Sequence, residues 1–235
     1  LATSYGRRFG VTLDPDKEAI VTLGTKEGLA NLAMAISAPG DTVLVPNPSY
    51  PMHAFGFVIA GANVRSVPIG PGFDFFAGLD RAYRHSVPSP IALIVSFPAN
   101  PTAMTVDLAF YEAIVDFAKK RNIWVISDLA YSEIYFDGNP PPSILQVKGA
   151  KDVAIEFTSL WKTYNMPAWR IGFCAGNPAL IGALARMNDG PRHAAPRAVL
   201  QGALAALPEA GAAHRVGSVA ANMVQVPILA CISPP

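Results

Sequence analysis

The sequence predicts an α/β fold, a mostly parallel central sheet flanked by helices. Three observations predict it. Strand-like and helix-like patterns alternate along the chain, which calls for right-handed crossovers between parallel strands. Residues 91–97 form an apolar run, as expected of a strand covered on both faces. The chain has 235 residues and is 51% hydrophobic, enough to bury a sizeable core.

The elements follow in order. Leu29, Leu32, Ala33 and Ile36 repeat with the spacing of one helix face, and Pro39-Gly40 ends that helix. Residues 42–45 are a short β-rich run, followed later by the apolar run 91–97. Phe110, Ile114 and Phe117 mark a second helix, and basic Lys119, Lys120 and Arg121 suit its C-terminus. Residues 123–127, 153–158 and 171–175 read as further strands. Pro178 opens a helix that runs to about Met187.

Composition excludes several function classes. A net charge of +1 argues against a nucleic-acid binder or a polybasic membrane binder. Two cysteines, Cys174 and Cys231, make neither a disulfide framework nor a metal-ligand spacing, so no metal is expected. No charged start followed by an apolar stretch marks a secretory signal. No uninterrupted run of about 18 apolar residues marks a spanning helix, since Asn222, Gln225 and Pro227 break the apolar segment 216–235. The expected protein is soluble and cytoplasmic. The chain opens at Leu1 in what reads as mid-domain sequence. Every aromatic residue lies at or before Phe173, and no lysine follows Lys162.

In sheets of this kind ligands sit beyond the C-terminal ends of the strands. The loops to inspect are therefore 24–28, 46–51, 97–102, 128–131 and 159–162. Asp128 ends a strand and could simply cap the next turn, but Tyr131 lies one turn away. Asn100-Pro101-Thr102 follows another strand, where Asn-Pro alone marks a turn. Ser159 and Lys162 follow a third strand, with Arg170 eight residues on. Gly24-Thr25-Lys26-Glu27-Gly28 precedes a helix whose N–H groups suit an anion, although it is no Walker motif. Tyr50 sits between Ser49 and Pro51, where an ordinary packed aromatic would also fit.

Taken singly these signals are weak. Their order is specific. The stretches 21–29 (VTLGTKEGL), 45–51 (VPNPSYP), 97–102 (FPANPT), 128–131 (DLAY) and 162–173 (KTYNMPAWRIGF) resemble the fold-type I, class I/II pyridoxal-phosphate aminotransferases. The likeness is closest to the branch of alanine transaminases and LL-diaminopimelate aminotransferases, and it runs from residue 1 to about 188. The resemblance implies pyridoxal 5′-phosphate as cofactor, with Lys162 bonding its aldehyde and shuttling a proton. Asp128 would pair with the ring nitrogen, Tyr131 and Asn100 with the ring oxygen, and Tyr50 would stack on the ring. Thr25, Lys26, Ser159 and Arg170 would hold the phosphate. It implies amino transfer between an amino acid, alanine or glutamate, and a 2-oxo acid, in a homodimer. Other reactions of the same cofactor such as β-elimination, a non-catalytic cofactor-binding regulatory module, and an inactive fragment are the competing readings.

The sequence departs from the family pattern in three places. Trp161 stands before the lysine where the family has a small residue, often Ser. Ala168 replaces a usual Gly; if that position has positive φ, Ala costs about 1 kcal/mol. Residues 189–235 are Ala/Pro/Gly/Arg-rich and lack the family's continuation. Arg192, Arg197 and Arg215 occur there, none in the context of the family's substrate-carboxylate arginine. The expected organisation is a cofactor-binding large domain at 1–188 and an atypical tail at 189–235, of the kind that out-of-frame reading of a G/C-rich gene produces. The small domain and the N-terminal segment are expected to be missing.

Overall fold

The computed structural model describes residues 1–136, 138–164, 166, 169–188 and 195–206. Helix α1 (Ala2–Phe9) precedes strand β1 (Ala19–Thr22), which leads into α2 (Thr25–Ile36). Then come β2 (Thr42–Asn47), α3 (Pro51–Ile59), β3 (Asn63–Pro68), α4 (Phe75–Arg84) and β4 (Pro90–Val95). Helix α5 (Leu108–Arg121) and β5 (Trp124–Asp128) follow. Two short 3-10 turns (Ile144–Gln146 and Ala150–Asp152) lead to β6 (Ala154–Ser159) and α6 (Leu160–Tyr164). The described residues end with β7 (Gly172–Gly176), α7 (Pro178–Asn188) and α8 (Arg197–Ala206).

The seven strands form one sheet in the order β1-β7-β6-β5-β4-β2-β3. Strands β3, β2, β4, β5 and β6 pair in parallel, while β7 runs antiparallel to both β6 and β1. The sheet is therefore mostly parallel, as expected, with one reversed strand. That reversal brings the residues entering β7 to the same edge as the residues leaving β5 and β6.

Both faces of the sheet are covered. On one face Leu44, Leu93, Val95 and Val125 pack with Leu79 of α4 and Tyr111, Ile114 and Ala118 of α5. On the other, Val43, Val45, Ile94, Ile126 and Phe157 pack with Leu29, Leu32 and Ala33 of α2, Phe57 of α3 and Leu180, Ile181 and Leu184 of α7. Two-sided burial is why the central strands read as apolar runs. At α5 the Asp107 side chain accepts a hydrogen bond from Phe110 N at 2.9 Å, and Asn122 ends the helix with φ 52°.

The tail carries structure at α8, where Val199, Leu200 and Ala203 pack against Leu160, Ile171 and Phe173. Ala168, Arg192, Arg215 and Cys231 lie outside the described residues, as does the side chain of Arg197. Among the described residues no helix is long and apolar enough to cross a membrane. Nor does any group of three or more His, Cys, Asp or Glu side chains gather as for a metal ion.

Candidate active site

Strand direction gathers the candidate residues. Thr25 and Lys26 open α2 just after β1, and Tyr50 is the N-cap of α3 just after β2. Asn100 follows β4, Asp128 ends β5 and Tyr131 lies in the turn beyond it. Ser159 ends β6 and Lys162 lies in α6. Arg170 arrives from the reversed strand, two residues before β7 begins. All nine line one cavity of about 300 Å³, together with Gly24, Ser96, Ala130, Trp161 and Ile171.

Close backbone approach builds the wall at the start of α2. A Cβ on Gly172 would lie 2.7 Å from Gly24 C and 2.8 Å from Thr25 N. Only glycine lets β7 lie this close to the start of α2. Gly24 has φ 91° and accepts no side chain easily there. Arg170 has φ 51°, a left-handed conformation costly for a residue with a Cβ. Its guanidinium donates to Leu23 O at 3.2 Å, which turns the side chain back toward the turn before α2. Lys26 Nζ lies 5.8 Å from the Tyr50 ring centroid.

On the opposite wall, Asn100 Nδ2 donates to Tyr131 Oη at 3.4 Å. Burial and then the Asp128 charge push the Tyr131 phenol above its ordinary value, while the Asn100 hydrogen bond opposes them. Ser159 Oγ accepts from Trp161 N at 3.1 Å, opening α6. Lys162 Nζ lies 4.2 Å from the Trp161 ring centroid and 5.1 Å from that of Tyr131. Burial holds the Lys162 amine below its ordinary value; Asp128 raises it and Lys26 lowers it further.

Sequence reasoning missed His53. It is 1% exposed, and its Nε2 lies 2.9 Å from Asp128 Oδ2. Its ring stands edge-on to Tyr50, centroids 5.6 Å apart. The signal was the spacing: His53 follows Tyr50 by three residues, so both fall on one face of the opening turn of α3. Ser96 was also missed; its hydroxyl donates to Asp128 O at 3.0 Å. The other Asp128 oxygen, Oδ1, is buried without a hydrogen-bond partner among the described residues. A buried carboxylate oxygen in that state fits a ligand that brings a proton on nitrogen.

Residues 1–214 match the family model for aminotransferase class I and II. The chain is 57% identical over 188 residues to a putative aminotransferase AatC of Rhizobium meliloti, covering 80% of this chain and 46% of that protein. It is 56% identical over 185 residues to the glutamate-pyruvate aminotransferase AlaC of Escherichia coli, covering 79% and 45%. The fold matches a probable N-succinyldiaminopimelate aminotransferase from Thermus thermophilus with a TM-score of 0.85 and 30% identity, covering 93% of this chain and 58% of that one. The chain spans about half the length of the curated relatives it matches. With most of its length matched by the family model, the chain belongs to the class I and II aminotransferases.

Proposed function

We propose that this chain carries the cofactor-binding half of a pyridoxal-phosphate-dependent aminotransferase. The reaction moves an amino group between an amino acid, alanine or glutamate, and a 2-oxo acid. Class I and II aminotransferases use pyridoxal 5′-phosphate. One observation carries the reading: an amine, Lys162, and a buried carboxylate with one unpartnered oxygen, Asp128, line the same cavity. The glutamate-pyruvate activity in the name of the Escherichia coli relative supports the choice of substrates.

The cofactor supplies an aldehyde and an electron-withdrawing ring that lets a bond at the amino acid Cα break heterolytically. The chain's residues do the rest. Asp128 Oδ1 would accept the ring N–H, with Oδ2 already held by His53. Tyr50 would lie against the ring face, and Asn100 and Tyr131 would reach its oxygen. Thr25, Lys26, Ser159 and Arg170 would hold the phosphate at the start of α2, where backbone N–H groups and the helix dipole favour an anion. Lys162, its amine lowered by burial, would bond the aldehyde and later carry the proton between carbons. We take residues 1–188 as this cofactor-binding domain and 189–235 as a compositionally distinct tail. In the whole protein we expect a homodimer in the cytoplasm.

The test is an absorbance titration with pyridoxal phosphate. A visible band that Lys162→Ala abolishes is the expected result. Folded protein that gives no band overturns the cofactor reading. Pyruvate formed from alanine together with glutamate from 2-oxoglutarate then tests the reaction, whereas ammonia and pyruvate released from serine without any 2-oxo acid would point to elimination.

A further inference from the structure

Trp161 is the large side chain on the cavity wall next to the reacting amine. It is 38% exposed, lines the cavity and stands immediately before Lys162 on α6. Neighbouring helix residues point about 100° apart, so they do not ordinarily face each other. Here Lys162 Nζ nevertheless lies 4.2 Å from the indole centroid and 5.1 Å from that of the Tyr131 ring. Both distances lie within the range in which a cation is drawn to a ring face.

We propose that Trp161 is a positioning residue for Lys162: its indole, with the Tyr131 ring, forms an aromatic seat that holds the ammonium and sets how readily the amine becomes a free nucleophile. The proposal takes from the preceding section only that Lys162 is the reacting amine.

The charged and titratable groups around Lys162 come from several elements. Asp128 ends β5, Tyr131 lies in the turn beyond it, Lys26 opens α2, Tyr50 caps α3 and Arg170 precedes β7. Burial lowers the amine, Asp128 raises it and Lys26 lowers it. The indole acts in two senses. Its bulk excludes water, which favours the neutral amine, and its face attracts the cation, which favours the charged one. A leucine keeps bulk and loses the face. A phenylalanine keeps both. The surrounding groups stay the same, so the difference between these variants reports the ring.

The experiment is the rate of Lys162 acetylation by an N-hydroxysuccinimidyl acetate ester against pH, read on the Lys162 peptide by mass spectrometry. The ammonium gives a proton to water, Nζ bonds the acetyl carbon and N-hydroxysuccinimide leaves, so the rate follows the free amine. Trp161→Leu is expected to move the midpoint to lower pH. Below the midpoint it should speed acetylation about two- to fivefold relative to its own plateau. Trp161→Phe is expected to stay near the wild-type midpoint. Midpoints that coincide in all three proteins, or a Leu midpoint that moves up, overturn the seat. If Trp161→Leu does not melt cooperatively, Trp161→Met takes its place with the same expectation. Acetylation needs no cofactor, so a lost seat with an intact pyridoxal-phosphate band refutes this inference alone. A midpoint shift without any band refutes the proposed cofactor instead.

Discussion

His53 Nε2 holds Asp128 Oδ2 at 2.9 Å, while the carboxylate's second oxygen is left for the cavity. The division of labour has a structural cause. His53 lies in α3, which packs on the same face of the sheet as the Asp128 side chain. Asp128 ends β5 in the middle of the sheet and is only 5% exposed. His53→Phe fills the volume and removes the donor. It should cost about 1–3 kcal/mol, because a buried carboxylate oxygen loses its partner. Denaturant melts measure that cost. The same variant should weaken pyridoxal-phosphate binding in the absorbance titration, whereas a variant at an exposed α3 site such as Val58→Ala should leave it unchanged.

Gly172 is where β7 meets the turn before α2. The atoms that an added Cβ would strike are Gly24 C and Thr25 N, both backbone, so no flexible side chain can yield. Gly172→Ala should destabilise by about 1–3 kcal/mol. It should also loosen phosphate binding, because Thr25 and Arg170 flank the contact. Thermal melts and an inorganic-phosphate titration read the two effects. Gly182→Ala serves as a control, since it has no positive φ and its added Cβ would meet only the end of the Arg186 side chain at 3.7 Å.

Legibility followed burial. The central strands were readable because both faces are covered, which makes them apolar without alternation. The edge strand β3 was not: its sequence NVRSVP exposes most of its side chains and carries no apolar pattern. Strand β1 is only four residues long and sits at the other edge. The reversal of β7 was invisible too, because an apolar run does not encode direction. The candidate site residues follow strand ends, but each also has an ordinary reading as a cap, a turn or a packed ring, so only the order of the motifs and their family resemblance singled them out. His53 was hidden because a lone histidine inside an apolar helix looks like core.

Glu156, which does not line the cavity, gives a separate pH signature. It is fully buried in β6 and accepts hydrogen bonds from Tyr5 Oη and Ser127 Oγ at 3.0 Å each, from Ile144 N at 3.2 Å and from Ser143 Oγ at 2.5 Å. Burial pushes its carboxyl from 4.5 up to about 7, and those hydrogen bonds hold it back from rising further. An acid raised in the folded state binds its proton more tightly there than in the unfolded chain. Its contribution is therefore fully present below about pH 4.5 and is lost as pH rises to about 7. The loss amounts to about 3 kcal/mol. Glu156→Gln should flatten this fall. Comparing wild type and variant in denaturant melts at pH 5 and pH 8 isolates it, and parallel pH dependences would refute the assignment.

Arg170 separates backbone strain from anion binding. Its φ of 51° costs a Cβ-bearing residue about 1–2 kcal/mol. Arg170→Gly relieves that strain but makes the unfolded chain more flexible, which costs about 0.4–1 kcal/mol. The hydrogen bond to Leu23 O is also lost, a further net cost of about 1 kcal/mol. These effects nearly cancel, so the melting midpoint should change by less than about 1 kcal/mol. Binding of an anion should not be spared. Losing a charged hydrogen-bond donor costs about 1.5–3 kcal/mol, roughly ten- to a hundredfold in the dissociation constant for pyridoxal phosphate. Arg170→Ala keeps the strain and loses the charge, so it should lose stability as well as affinity. If Arg170→Gly and wild type bind pyridoxal phosphate equally, the guanidinium takes no part in holding it, and the anion is left to the first turn of α2 and Ser159.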